Sequence, residues 1–238
     1  METNESSLKS TARFAGLLYF IWVLTGLYGL FYVPSQIDTR GDAVTTAQNV
    51  LSNEFLFRTS IVNDLISHTI WVVMVLVLYR LFKQVNERQA KLLVAFVIVQ
   101  IPAVFFMEAL NITSLMIFKG DILKTFELTQ RQDVAMLFLK LNDYMTLSLE
   151  MFWGLWLFPL AILVYRSRFL PRFLGVWLMI CGFAYVVLSF TSLVLPQYKN
   201  IVYNIALPAF FGELAFMLWL LIMGAKVREP EARVSQVS

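Results

Sequence analysis

The sequence predicts an all-α protein, a polytopic bundle of six transmembrane helices with a short amphipathic helix in the first outer loop. Three observations predict it. Hydrophobic residues make up 59% of the 238 and charged residues 15%, where a soluble domain carries about 25% charged residues. The mean hydropathy is +0.70. Six segments reach the roughly 20 apolar residues needed to cross the hydrocarbon core of a bilayer. With their loops they occupy residues 1–238 as a single integral membrane domain.

The first span, about 14–33, follows thirteen mostly polar residues and is expected to stop at Pro34. It lacks a small-residue cleavage signal and is expected to stay as an anchor. The second, 59–82, follows Arg58 and closes on Arg80 and Lys83. The third, 90–118, ends at Lys119-Gly120-Asp121. The fourth, 134–164, is longer than a bilayer needs, so its first turns are expected to project from the membrane. The fifth, 173–195, opens at Pro171-Arg172, proline suiting a first turn. The sixth, 202–225, carries Pro208 and ends before Lys226. Between the first two spans, GDAVTTAQNVLSNEFLFR reads as a surface helix with Asp42 as its N-cap. Arg58 and Asp42 are assigned structural roles in this outer loop. RFAG at 13–16 and RFLG at 172–175 both open spans, too short a match to define a repeat.

Lysine and arginine distribution orients the bundle. With the N-terminus inside, the inner segments hold twelve basic residues: Lys9, Arg13, Arg80, Lys83, Arg88, Lys91, Arg166, Arg168, Arg172, Lys226, Arg228 and Arg233. The outer segments hold seven. A multi-pass protein of the cell membrane with both termini cytoplasmic is the expectation. The net charge of +3 therefore reflects helix-end anchors, and nucleic acid is not an expected partner. The single cysteine, Cys181, excludes an internal disulfide and a thiolate cluster. The sequons at Asn4 and Asn111 fall inside the cell and inside the bilayer, so neither is expected to be glycosylated.

Charged side chains at mid-bilayer each cost roughly 2.5–3.5 kcal/mol on insertion scales, so those present need partners or water. The candidates for a polar cavity are Asp64, His68, Glu108, Asn111, Asp143, Glu150 and Glu213. At about 100° per residue, Asp64, Ser67, His68 and Trp71 share one face of the second span, and Lys140, Asp143, Glu150 and Gly154 one face of the fourth. By depth, Asp64, His68, Asn111, Asp143 and Glu150 fall in the outer half, with Glu108 and Glu213 near the middle. That asymmetry points to a cavity opening outward. The competing reading ties helix to helix: Lys140 with Asp143, His68 with a carboxylate, Asn111 with a backbone carbonyl. The six tryptophans read as packing and interface anchors. Gly175, Gly182 and Ser189 recur every seven residues as a close-packing seam for a neighbouring helix or a second subunit.

One histidine cannot supply a di-iron bundle or the usual catalytic zinc set. No phosphate loop, dinucleotide fingerprint or HExxH is present, so no metal or cofactor is assigned. The leading expectation is a membrane protein that binds a small or amphiphilic, lipid-like ligand, with membrane lipid and a second copy of the chain as further partners. A scaffold or regulatory protein is the main alternative. An enzyme using Asp64 and His68 as base with Glu108, Glu150 or Glu213 as acid, and a secondary transporter, stand behind it.

ARFAGLLYF, YVPS followed by GDAVTTAQNV, FLFRTSIVNDLI, LYRLFKQVN, FLPRFLGVWLMICGFAY and GELAFMLWLL occur in order along nearly the whole chain. As a set they resemble a family of bacterial multi-pass membrane proteins known as a domain of unknown function. The resemblance implies six helices and no known activity. It points to Arg58, Asp64 and Glu213 as the matching polar positions. Near LNDYM the family's histidine or glycine is replaced by Asn142, Asp143 and Met145, so no role needing that histidine carries over.

Overall fold

The computed structural model describes residues 2–226. Arg228 and Arg233, two of the twelve inner cations, lie outside the described residues, and the side chain of Asn4 is likewise not described. Six helical spans long and apolar enough to cross a membrane are present: Ser7–Gln36, Glu54–Phe82, Glu87–Lys119, Leu128–Arg166, Arg172–Val194 and Pro196–Ile222. The chain is a multi-pass membrane protein.

Among the described residues there are ten α-helices, nine of them in these spans and one in the loop after the first. The first span is α1 (Glu2–Leu27), a π-helical turn (Tyr28–Tyr32) and α2 (Val33–Gln36). The expected stop at Pro34 is therefore corrected. The Val33 N–H bonds the Tyr28 carbonyl five residues back, and this widened turn gives the Pro34 ring room against the preceding turn. The surface helix α3 (Ala43–Ser52) starts where Asp42 accepts the Thr45 N–H at 2.7 Å. It is shorter than expected, because α4 (Glu54–Phe82) begins at Glu54. Arg58 is thus on a span and not in the outer loop.

The third and fourth spans are each broken, contrary to the continuous helices expected. α5 (Glu87–Ile98) gives way to α6 (Ile101–Lys119) at Val99-Gln100. Pro102 in the first turn of α6 has no N–H to continue the ladder. The Gln100 N–H turns to the Val97 carbonyl, and the Gln100 side-chain amide bonds the Phe96 carbonyl at 2.6 Å instead. α7 (Leu128–Leu155) and α8 (Leu157–Arg166) meet at Trp156, three residues before Pro159. α9 (Arg172–Val194) follows Pro171, and α10 (Lys199–Ile222) continues through Pro208. Gly224 lies past the end of α10 at φ 66°.

Each span packs on its two sequence neighbours, and α1 also packs on α10. The six spans therefore form a closed ring in sequence order, each antiparallel to the next. Two apolar clusters fill it at different depths. One contains Met74, Leu78, Leu93, Leu160, Leu178 and Leu220 from five of the spans. The other lies under α3 and contains Val50, Phe57, Leu115 and Leu139. Along the second, third and fourth spans, the stretch between the clusters carries the polar residues.

The seven-residue seam on α9 faces the fourth span of the same chain. A Cβ on Gly154 would lie 2.5 Å from the Gly182 carbonyl oxygen, and one on Gly175 would lie 2.8 Å from the Ala161 carbonyl oxygen. Ser189 donates to the Leu147 carbonyl at 3.3 Å. Small residues let two backbones approach, and the seam is used up inside the ring.

Candidate functional site

Between the two clusters is a cavity of about 340 Å³ lined by residues of all six spans. Small-molecule sites run from roughly 300 to 1,000 Å³ and are mostly apolar with a few placed polar groups. The wall contributed by α4 is Asp64, Ser67, His68 and Trp71, the face that helical periodicity puts together. Glu108 enters from α6 and Glu213 from α10. Trp22, Trp71 and Trp156 pack as a floor, with ring centroids 5.2 Å apart for Trp22–Trp71 and 5.6 Å for Trp71–Trp156. Four of the six tryptophans expected to be anchors, these three and Trp153, line this cavity.

Each carboxylate on the wall is held by neutral donors. Tyr19 Oη donates to Glu213 Oε1 at 2.5 Å, joining the first and last spans. Cys181 Sγ lies 3.9 Å from the other Glu213 oxygen. Asn111 Nδ2 donates to Glu108 Oε2 at 3.0 Å, so Asn111 serves a carboxylate and not the backbone carbonyl expected for it. Asn63 Nδ2 is shared between Asp64 Oδ1 at 3.2 Å and the Thr25 carbonyl at 3.0 Å. Thr25 Oγ1 donates to Ser67 Oγ at 2.8 Å. Gly29 makes the approach of Asp64 possible: a Cβ there would lie 3.0 Å from Asp64 Oδ1.

His68 does not pair with a carboxylate. Its Nδ1 lies 2.7 Å from the backbone carbonyl of Asp64, one turn back on the same helix. A carbonyl only accepts, so Nδ1 carries the proton of this bond and Nε2 is the free ring nitrogen. Ser67 is engaged with Thr25, away from the ring. Among the described residues no three His, Cys, Asp or Glu side chains come close enough to share a metal ion, so Asp64, His68 and Glu108 do not converge as a ligand set.

Three of the seven sequence candidates are off the wall. Asn111 stands behind Glu108. Asp143 is exposed one turn beyond Thr146, toward the α3 end. It makes no ion pair with Lys140; the ion pairs among the described residues are Arg58–Glu54, Lys119–Glu54 and Lys91–Glu87. Glu150 is buried, and its Oε2 has no hydrogen-bond partner among the described residues. It shares its helix face with Gly154, which abuts Gly182, and it does not line the cavity. The cavity stripe of α7 is instead Thr146, Leu149 and Trp153.

A family model described as a domain of unknown function, DUF4386, matches residues 14–224. The chain belongs to the DUF4386 family. A protein of Archaeoglobus fulgidus described as an uncharacterized protein is 35% identical over 78 residues, which is 33% of this chain and 45% of that protein. The chain thus matches less than half the length of this curated relative. No solved structure matches.

In this DUF4386 chain, Arg58 is held at 2.8 Å by Glu54, which also bonds Lys119 at 2.9 Å and so fastens the second span to the third. Asp64 and Glu213 face the cavity. Sequence reasoning missed Tyr19, Asn63, Thr25 and Gly29. Asn63 beside Asp64 was the visible signal; Tyr19 has none within its own apolar span.

Proposed function

We propose that this DUF4386 chain binds an amphiphilic, lipid-like molecule in the cavity at the centre of its ring. The observation that supports this reading is a hollow lined by all six spans, which pairs an aromatic floor with three carboxylates. Polar groups kept only to tie helices together need no hollow beside them. Hydrogen bonds such as Tyr19–Glu213 favour a scaffold role as the second reading. On the basic-residue distribution we place the protein in the cell membrane with both termini cytoplasmic, which reporter fusions at each end would check.

Gly26 supplies the test of binding. It lines the cavity, and a Cβ built on it meets no atom within 4 Å. Gly26→Leu should therefore fill the space and leave the fold intact. Brominated octyl amphiphiles with cationic, neutral and anionic heads quench nearby tryptophan. At least one is expected to quench the wild type saturably and to lose that effect in Gly26→Leu. Identical quenching of both proteins by every probe would favour the scaffold reading.

A further inference from the structure

We propose that the cavity selects an organic cation, an amine or quaternary ammonium carrying an apolar tail. This rests on the binding reading above and names the chemistry of the head group. The first ground is charge. Asp64, Glu108 and Glu213 reach the wall from three different spans, and among the described residues no lysine or arginine lines it. Their hydrogen bonds come from Asn63, Asn111, Tyr19 and Cys181, all neutral. The ion pairs among the described residues use Glu54 and Glu87, none of these three. An anionic head would face three acidic groups, whereas a cationic head is the complement that favours their ionised form.

The second ground is the aromatic lining. Trp22, Trp71, Trp153, Trp156, Tyr185 and Phe210 all border the space. Ring faces attract ammonium groups, tryptophan most strongly, and the attraction grows when water is excluded.

Geometry separates an organic cation from a metal ion. The carboxylates are dispersed, with no three ligating groups close together among the described residues. A metal needs its donors within one coordination sphere, whereas a bulky ammonium takes diffuse charge and ring faces from several sides.

The experiment compares octyltrimethylammonium, octanol and octanoate on the full chain in nanodiscs of zwitterionic lipid, with empty nanodiscs subtracted. Octyltrimethylammonium is expected to bind about tenfold or more tighter than octanol, and octanoate to bind weakest. Asp64→Asn and Glu108→Gln should each weaken the cation about tenfold and leave octanol unchanged. Two substitutions are used because either one alone can disturb folding. A variant counts only if its Cys181 stays shielded from alkylation. Equal binding of octanol and the cation, or tighter binding of octanoate, would overturn the cation assignment and leave the cavity reading standing. Binding of no probe above empty nanodiscs would overturn both.

Discussion

Tyr19 and Glu213 are 194 positions apart in sequence and 2.5 Å apart in space, the phenol donating to the carboxylate. The bond closes the ring where the first span meets the last. Tyr19→Phe removes the donor and keeps the ring packing against Trp22 and Phe216. Leaving a largely buried acceptor unmet costs about 1–3 kcal/mol. We expect a lower thermal midpoint in detergent. Glu213→Gln added to Tyr19→Phe should cost less than the sum of the two, by roughly 0.5–3 kcal/mol. Additive losses would mean the two groups do not act as a pair.

The seam between the fourth and fifth spans should be the least forgiving place for one added methyl. Gly154→Ala drives its Cβ to within 2.5 Å of the Gly182 carbonyl oxygen, and overpacking of this kind costs about 1–3 kcal/mol. Gly26→Ala is the matched control, with open space at its Cβ and a gain of roughly 0.5–1 kcal/mol from replacing a helical glycine. The measured midpoints should fall and hold or rise, respectively. The same sign for both would contradict the packing described.

Asp42 lies outside the spans, and the Thr45 N–H it accepts holds its carboxyl below the ordinary aspartate value of 3.8. A folded pKa below the unfolded one means the cap is fully stabilising above the unfolded value and is lost as pH falls through the folded one. Hydrogen exchange in α3, corrected for its intrinsic pH dependence, should stay constant from neutral pH to about pH 5 and accelerate only well below that. Asp42→Asn should keep the helix start without this pH dependence, and Asp42→Ala should speed exchange at every pH.

Cys181 is fully buried in the membrane core of the ring and is the chain's single cysteine. A maleimide should fail to label it in the folded protein and label it completely after denaturation. Rapid labelling of the native protein would show that the ring opens at the fifth span.

The number of spans was legible in the sequence because a bilayer imposes a length that short polar loops interrupt. The breaks at Val99-Gln100 and Trp156 were harder to read, since hydrophobicity runs through both and only Pro102 and Pro159 mark them. Within one helix, spacing placed Asp64, Ser67, His68 and Trp71 on a common wall. Between helices it fell short, because a span's rotation is set by what it packs against. The contact of Gly154 with Gly182 fixes how the fourth span is turned, and the stripe beginning at Thr146 lines the cavity in place of Glu150. His68 escaped a carboxylate for a local reason: its ring reaches the carbonyl one turn back more easily than any side chain.

The floor of packed indoles also gives the molecule a built-in optical label. Trp22 and Trp71 are stacked within 19° of parallel, with Trp156 nearly perpendicular to both. Rings this close share their excited states, so their circular dichroism depends on mutual orientation as well as on surroundings. Anything that enters above the floor and shifts one ring by a few degrees would change the colour-like signature of the whole set, with no dye attached.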